Sequence, residues 1–140
     1  MKAAHPETPR SSSARRTRQL DATYDVVQAA HDHPAAEQVH ERVRRRLRRV
    51  SLGTVYRNLQ KLAAEGRIRI VELGPRRTRF DGRLDEHEHF MCDACGSISD
   101  LPTNAGNLAG AAHLRRAGFG IDRHTLTFFG LCPACRRAHE

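Results

Sequence analysis

The apolar positions in the first half of the chain recur with a helical period. A first helix is predicted from about Arg16, where Leu20, Tyr24, Val27 and Ala30 fall on one face. A second is predicted over residues 35–48, since the proline at 34 suits a helix start. Its expected buried stripe consists of Ala36, Val39, Val43 and Leu47. The opposite face is basic, with Arg42, Arg45, Arg46 and Arg49.

A third helix and two short strands follow. Ser51 is a good helix N-cap, and Gly66 suits the end of the helix that it begins. Apolar and β-branched side chains then predict strands over residues 68–73 and 78–81, joined by a turn at Gly74 and Pro75. Three helices followed by a basic hairpin is the order of a winged helix-turn-helix. The alternative is a small helical domain whose arginines only keep it in solution.

The second half of the chain has a different pattern. Residues 82–86 have the composition of a linker, and short strands are predicted over residues 89–92 and 97–101. A helix is predicted over residues 104–117, and a long β run over residues 119–132. We therefore expect an α+β fold with three parts: a disordered leader (1–14), a DNA-binding winged-helix domain (15–82) and a dimerisation and metal-binding domain (83–140).

Charge separates the two halves. The net charge is +8, yet residues 1–80 carry 18 Lys and Arg against 8 Asp and Glu, whereas residues 81–140 carry 6 against 8. A basic first half suits a polyanion such as nucleic acid, although it can also be a solvated surface. There is no apolar run of membrane-spanning length and no secretory signal pattern, so a cytoplasmic location is expected.

The four cysteines form two Cys-x-x-Cys pairs, and the pairs are separated by 36 residues. They are Cys92, Cys95, Cys132 and Cys135. In a cytosolic chain, two such pairs favour one tetrahedral zinc site over disulfides. Redox-active pairs are the alternative, but neither pair opens a thioredoxin-like βα unit. The sequence predicts one structural zinc ion.

A second group of potential ligands precedes the first cysteine pair. His87 and His89 are two residues apart, which on a strand places both side chains on one side. Asp81, Asp100 and His33 offer further donors. With every thiol assigned to the first site, a second site would use only imidazole and carboxylate, which suits ferrous iron, manganese or zinc. Histidine pairs of this kind are also common on ordinary surfaces.

Several motifs together resemble one known family. They are His33-Pro34, Ser51-x-x-Thr54-Val55-Tyr56-Arg57-Asn58-Leu59, Arg79-Phe80-Asp81, His87-x-His89-x-x-Cys92-x-x-Cys95-Gly96, Asp100 and Gly130-x-Cys132-x-x-Cys135. Over residues 16–137 the chain resembles the ferric uptake regulator family of bacterial repressors. The resemblance implies a homodimer that binds a double-stranded DNA operator, expected to be an inverted repeat. It also implies one structural zinc ion and one regulatory ferrous iron or manganese ion per subunit.

The resemblance also implies roles for individual residues. The cysteines match the structural zinc site, and the regulatory site is matched by His33, Asp81, His87, His89 and Asp100. Tyr56 and Arg57 match the recognition helix. With the polar face of the third helix and the tip of the hairpin, the expected DNA-binding residues are Ser51, Thr54, Tyr56, Arg57, Asn58, Lys61, Arg76 and Arg77.

The oxygen ligands of the regulatory set are both aspartates, Asp81 and Asp100. This pattern is similar to that of the peroxide-sensing branch of the family. In that branch, hinge-bound ferrous iron reacts with peroxide and a histidine ligand, here His33 or His87, is oxidised. The runner-up is a repressor that reports iron supply alone. Zinc-sensing members often use an additional cysteine, which this chain lacks. His124 matches an additional metal site of some members, but residues 103–117 hold no acidic partner for it. A zinc enzyme or a zinc-ribbon interaction module explains fewer of these residues.

Overall fold

The computed structural model describes residues 12–102 and 109–139. The first eleven residues of the predicted leader and the start of the helix predicted over 104–117 lie outside the described residues. The chain divides into two compact units. The first comprises the residues up to Glu72 together with Arg76–Arg83, and the second comprises Leu73–Pro75 together with the residues from Leu84 onward.

The first unit begins with three helices, in the order that the hydrophobic pattern predicts. They are α1 (Ser12–Ala29), α2 (Ala36–Arg44) and α3 (Leu52–Ala64). Because α1 already begins at Ser12, residues 12–14 are helical and do not belong to a disordered leader. The N-terminus of α2 is capped by Gln38, whose side-chain oxygen accepts the Ala35 N–H at 2.9 Å.

Helix α2 ends four residues earlier than predicted. After Arg44 the backbone tightens into turns, in which the Arg45 and Arg46 N–H groups bond to carbonyls three residues back. The Val50 carbonyl then lies 3.0 Å from His40 Nε2, which ties the turn to α2. Leu47 is still half-buried against the core. Its apolar position therefore matches the pattern that predicted a longer helix, although it lies in a turn.

Helix α3 and the hairpin follow the predicted pattern closely. The Ser51 side chain accepts the Thr54 N–H at 3.1 Å, and Gly66 beyond the last turn has φ +69°, which glycine tolerates best. The hairpin consists of β1 (Arg69–Glu72) and β2 (Thr78–Asp81), an antiparallel pair in which Ile70 lies opposite Phe80. These elements give the first unit the order of a winged helix.

The apolar faces of these five elements form one core. Its fully buried members come from all three helices and from β2. The buried cluster consists of Ala22, Val26, Val27, Ala36, Val39, Val43, Val50, Val55, Leu59, Leu62, Ile68 and Phe80. Each buried side chain of this size typically stabilises the fold by about 1.5–3 kcal/mol, so the first unit carries a substantial hydrophobic core of its own.

The second unit is a small sheet with two helices. Strands β3 (Glu88–Cys92), β4 (Ile98–Leu101) and β5 (Thr127–Gly130) lie in the order β4-β3-β5. Strand β3 pairs antiparallel with β4 and parallel with β5. The helices are α4 (Ala109–Arg116) and α5 (Pro133–Ala138).

Two features of this unit differ from the sequence prediction. The prediction of a long β run over residues 119–132 is wrong, since only four of these residues form a strand and residues 119–126 have no regular structure. A strand persists only where it finds hydrogen-bonding partners, and β3 pairs with β5 over just four residues. Helix α5 was not predicted. Its sequence signal is Pro133 directly after an N-capping Cys132.

The second unit buries few apolar side chains within one chain. Apart from Leu73, its buried apolar residues in the described ranges are Met91, Cys92 and Ile98. By contrast, its exposed large apolar side chains are Leu84, Leu114, Phe119, Phe128, Phe129 and Leu131. A core this small needs further stabilisation by metal or by association.

Within the described ranges, no helix is both long enough and apolar enough to cross a bilayer.

Candidate metal centres and nucleic-acid interface

The four cysteines of the second unit form one cluster. Cys92 ends β3, Cys95 lies in the turn before β4, and Cys132 and Cys135 lie at the start of α5. The parallel pairing of β3 with β5 places Cys92 opposite Gly130, two residues before Cys132. All four sulfur atoms lie within 4.8 Å of one another, and Cys95 and Cys132 are 3.9 Å apart. Zinc–sulfur bonds of about 2.3 Å separate the corners of a tetrahedron by about 3.8 Å, so the cluster has the dimensions of a thiolate zinc site.

The acid–base properties of this cluster also suit a cation. The pKa of the Cys92 thiol is lowered to about 6 because the backbone N–H groups of Cys132 and Cys95 point at its sulfur. The side chain of Ser97 lowers the pKa of Cys95. In contrast, the neighbouring sulfurs of Cys132, Cys95 and Cys92 raise the pKa of Cys135 to about 12. Four thiolates therefore coexist here only when a bound cation offsets their repulsion.

A second cluster of the same unit contains two histidines and an aspartate. The Nε2 atoms of His87 and His89 lie 3.2 and 3.4 Å from the same Asp100 oxygen, Oδ1. The two rings meet edge to face, with centroids 4.5 Å apart. The register of β3 with β4 sets this geometry, because His89 is the direct partner of Asp100. Ligands at right angles around an ion with bonds near 2.1 Å lie about 3 Å apart, so these atoms are spaced as neighbouring ligands.

His33 and Asp81 form a buried pair in the first unit. His33 Nε2 lies 3.3 Å from Asp81 Oδ2, and only 3% and 6% of the two side chains are exposed. His33 has φ +50°, a conformation that is uncommon for a residue other than glycine. The Phe80 N–H donates to the Pro34 carbonyl at 3.0 Å, which fixes the loop after α1 against β2. An imidazole and a carboxylate are thus held together in a buried position.

Two contacts next to His33 and Asp81 were not predicted from the sequence. Arg42 donates to both carboxylate oxygens of Asp32, at 2.9 and 2.5 Å, and this contact lowers the pKa of Asp32. The chain after Asp81 also passes close to α1, because a Cβ atom at Gly82 would lie 2.9 Å from Gln28 Cα. The Gln28 side chain donates to the Gly82 carbonyl. A basic residue ten positions from an acidic one was too weak a signal to predict the first contact.

The predicted DNA-binding residues of α3 divide into two groups. Ser51 and Thr54 form the helix cap, and Arg57 donates to Thr54 Oγ1 at 3.3 Å while its side chain stays exposed. Tyr56 is 51% exposed. Asn58 differs from the prediction, because it is half-buried and its amide nitrogen lies 3.5 Å from Thr23 Oγ1 of α1. Asn58 therefore faces the packed side of α3.

The remaining predicted DNA contacts are exposed basic residues. Lys61 lies on the outer face of α3, with its ammonium 4.0 Å from Glu65. Arg76 and Arg77 are exposed in the turn of the hairpin, where Arg76 has φ +60°. A wing with exposed arginines at its tip is a suitable contact for a phosphate backbone.

If α3 is the recognition helix that the sequence predicts, replacing Arg57 with alanine is expected to lower DNA affinity by about 10- to 100-fold, because its exposed guanidinium would make strong base or phosphate contacts. The measurement is fluorescence anisotropy on a duplex selected from a random library by the manganese-loaded protein. Metal content should remain unchanged. A control variant, Arg116→Ala on α4, should bind DNA normally. Loss of metal from Arg57→Ala would contradict the assigned role.

Comparison with known proteins places this arrangement in one family. The sequence model of the ferric uptake regulator family matches residues 11–129. The chain is 29% identical to the peroxide operon regulator of Bacillus subtilis over 133 residues, which cover 94% of this chain and 90% of that protein. It is 30% identical to a zinc uptake regulation protein of Mycobacterium tuberculosis, with 90% and 98% of the two chains covered.

The fold agrees with this result. The Helicobacter pylori ferric uptake regulator superposes with a TM-score of 0.76 at 21% identity, covering 85% of this chain and 80% of that one. The family comprises metal-responsive transcriptional regulators that bind DNA as dimers and are not enzymes. An N-terminal winged helix followed by a C-terminal dimerisation domain matches the fold of this family, and this chain also contains a four-cysteine cluster. The chain belongs to the ferric uptake regulator family.

Proposed function

We propose that this regulator is a peroxide-sensing repressor that uses ferrous iron or manganese. The observation that carries the proposal is the division of donors between two clusters. All four thiols lie in one cluster, so His87, His89 and Asp100 form a group without sulfur. Nitrogen and oxygen donors suit ferrous iron and manganese, whereas four thiolates suit structural zinc.

The proposed regulatory site has five ligands that serve one ion. His87, His89 and Asp100 supply three of them, and the buried pair His33 and Asp81 supplies the other two. Each group shows donor atoms at ligand spacing within its own unit. Two carboxylates and three neutral imidazoles balance the charge of a divalent ion and leave room for a sixth ligand. An ion that needs donors from both parts of the chain would favour one arrangement of the two units, and so control DNA binding.

The proposed signal acts on an imidazole donor. Ferrous iron held by these residues would supply electrons to hydrogen peroxide, so that one peroxide oxygen is added to a nearby histidine and the other leaves as water. The imidazole of His33 is buried, and so is the imidazole of His87, which has no exposed surface. An oxidised imidazole is a poor electron-pair donor to a metal ion, so the site loses affinity for its ion. The repressor then leaves its operator.

The proposed dimer is formed by the second unit. Its single-chain core is small, and Phe128, Phe129 and Leu131 are exposed on or just after strand β5. Strand β5 is an edge of the described sheet. Association covers both the apolar side chains and the unpaired edge. A two-fold dimer presents two α3 helices, which suits an inverted-repeat operator.

The test loads the zinc-replete dimer with ferrous iron without oxygen and adds a small excess of hydrogen peroxide. We expect one oxygen atom on His33 or His87 by peptide mass spectrometry, together with loss of affinity for the selected duplex. Manganese-loaded protein is the matched control and should show neither change. Retention of unmodified histidines and full DNA affinity in the iron form would rule out peroxide sensing.

A zinc-responsive regulator is the second candidate, favoured by the 30% identity to the zinc uptake regulation protein. It predicts that a second equivalent of zinc, bound beyond the four-cysteine site, restores DNA affinity at lower free concentration than ferrous iron does. It also predicts that peroxide leaves the histidines intact. Zinc binds most nitrogen and oxygen sites more tightly than ferrous iron does, so the state of the histidines after peroxide treatment separates the two candidates.

A further inference from the structure

The segment between α2 and α3 carries an unusual density of positive charge. Five of the six residues from Arg44 to Arg49 are arginine, and all five are exposed. This arginine surface (Arg44, Arg45, Arg46, Arg48 and Arg49) includes none of the residues assigned above to DNA binding. Only Val50 separates the end of this segment at Arg49 from Ser51, the N-cap residue of α3.

Within the part of the chain that the structure describes, few of these charges are neutralised. Arg45 lies 3.9 Å from Glu41, and Arg46 lies 3.7 Å from Asp25, but both pairs are more than half exposed and therefore weak. For Arg44, Arg48 and Arg49, no carboxylate of the described residues lies within 4.0 Å. Like charges at this density repel one another, so the surface is ready for an anion from outside.

Two shallow, open grooves lie on the arginine surface. One groove of about 420 Å³ is lined by Glu41, Arg44, Arg45 and Arg48. A second groove, of about 280 Å³, lies between Arg46, Arg48 and Arg49 on one side and the start of α1 on the other. Arg48 lines both grooves. Guanidinium groups around a groove can each donate two hydrogen bonds to a phosphate.

We propose that the arginine surface binds the sugar–phosphate backbone of duplex DNA beside the site read by α3. The proposal rests on the proposed DNA-binding function and extends its footprint. The same unit carries the surface and α3, and the surface leads directly into the cap of that helix. Backbone phosphates are the anions that a helix entering the major groove meets first. Contacts of this kind add affinity without base preference.

The test uses the manganese-loaded dimer and a random-sequence 30-base-pair duplex, so that no operator needs to be known. Affinity is measured by anisotropy across a range of potassium chloride concentrations for wild type and for R44Q/R48Q/R49Q. Each phosphate contact contributes about 0.9 to the slope of log affinity against log salt. We expect the slope to fall by about 2 or more, with affinity at low salt reduced at least tenfold.

The matched control removes three exposed arginines from the second unit, as R115Q/R116Q/R123Q, and should keep the wild-type slope. The ratio of affinities for the selected and random duplexes should be the same in R44Q/R48Q/R49Q as in wild type, because phosphate contacts carry no base preference. An unchanged salt slope in R44Q/R48Q/R49Q would overturn the proposal.

The grooves could instead hold a small polyphosphate, so calorimetry with inorganic tripolyphosphate forms a second arm. Micromolar tripolyphosphate binding that is lost in R44Q/R48Q/R49Q, with the DNA salt slope unchanged, would overturn the DNA assignment. The proposed function fails separately, if the selected duplex shows no dependence on manganese in wild type. The random-duplex slope still tests the arginine surface in that case.

Discussion

Replacing Cys92 with serine is expected to remove bound zinc from the protein and to unfold its second unit. Cys92 is fully buried at the end of β3, and its sulfur accepts the Cys132 N–H at 3.3 Å. Serine cannot provide a fourth thiolate. Structural zinc contributes on the order of 10 kcal/mol to small zinc domains, which is comparable to the total stability of a typical domain. The second unit has few buried apolar side chains, so hydrophobic burial cannot replace the stabilisation that zinc provides.

The measurements are zinc per chain by mass spectrometry of the metal, circular-dichroism melting, and sedimentation for the dimer. Ser97→Ala is the matched control, because Ser97 Oγ lies 3.1 Å from Cys95 Sγ but is not a proposed ligand. That variant should retain zinc and sediment as a dimer. The first unit of Cys92→Ser should still melt cooperatively, since its core is separate. A folded, zinc-free Cys92→Ser dimer would contradict the structural role of the metal.

Replacing Asp81 with asparagine is expected to abolish the dependence of DNA binding on manganese. Asp81 Oδ1 accepts the Arg83 N–H at 2.9 Å, and asparagine can retain this bond. The negative charge next to His33 is lost, however, and with it the main attraction for a divalent ion. We expect manganese affinity to fall by at least the roughly 10- to 100-fold that loss of an outer-shell partner of a metal ligand costs.

Manganese affinity is measured by calorimetry, and its effect on DNA binding by anisotropy with the selected duplex. Glu72→Gln removes the same charge from an exposed position on β1 and is the matched control. His89→Ala should reproduce the loss from the second unit, whereas His113→Ala on α4 should not. If Asp81→Asn kept full manganese-dependent DNA affinity while His89→Ala lost it, the two groups would not serve one ion.

Local sequence patterns correctly predicted the elements that are stabilised by interactions between residues close in sequence. The cap at Ser51 and the apolar period of α3 specify that helix wherever it packs, because both act within a few residues. The two-residue spacing of His87 and His89 likewise predicted that both side chains lie on one side of the chain, and both approach the same oxygen of Asp100. Predictions failed where a distant partner decided the outcome. Residues 119–126 have apolar β character, yet they form no strand, because the ladder with β3 extends over Thr127–Gly130 and one further bond runs from the His89 N–H to the Leu126 carbonyl.

Helix α2 and Asn58 show the same limit on a smaller scale. The apolar period through Leu47 predicted continued helix, but the turn that ties Val50 to His40 ends it at Arg44. Asn58 looked like a surface residue on a polar helix face, and the packing of α3 against α1 turned it towards Thr23. In both cases the residue makes a contact with a segment that the local pattern does not include.

The sequence by itself determined the chemistry of this protein. The number and spacing of its cysteines, its histidine pair and its aspartates specify which donors exist, because donor type and short spacing are properties of the chain. Only the tertiary structure decided which donors meet. The parallel pairing of β3 with β5 brings Cys92 to the second cysteine pair, and the register of β3 with β4 brings His89 to Asp100. Strand register joins residues far apart in sequence, and no local pattern encodes it.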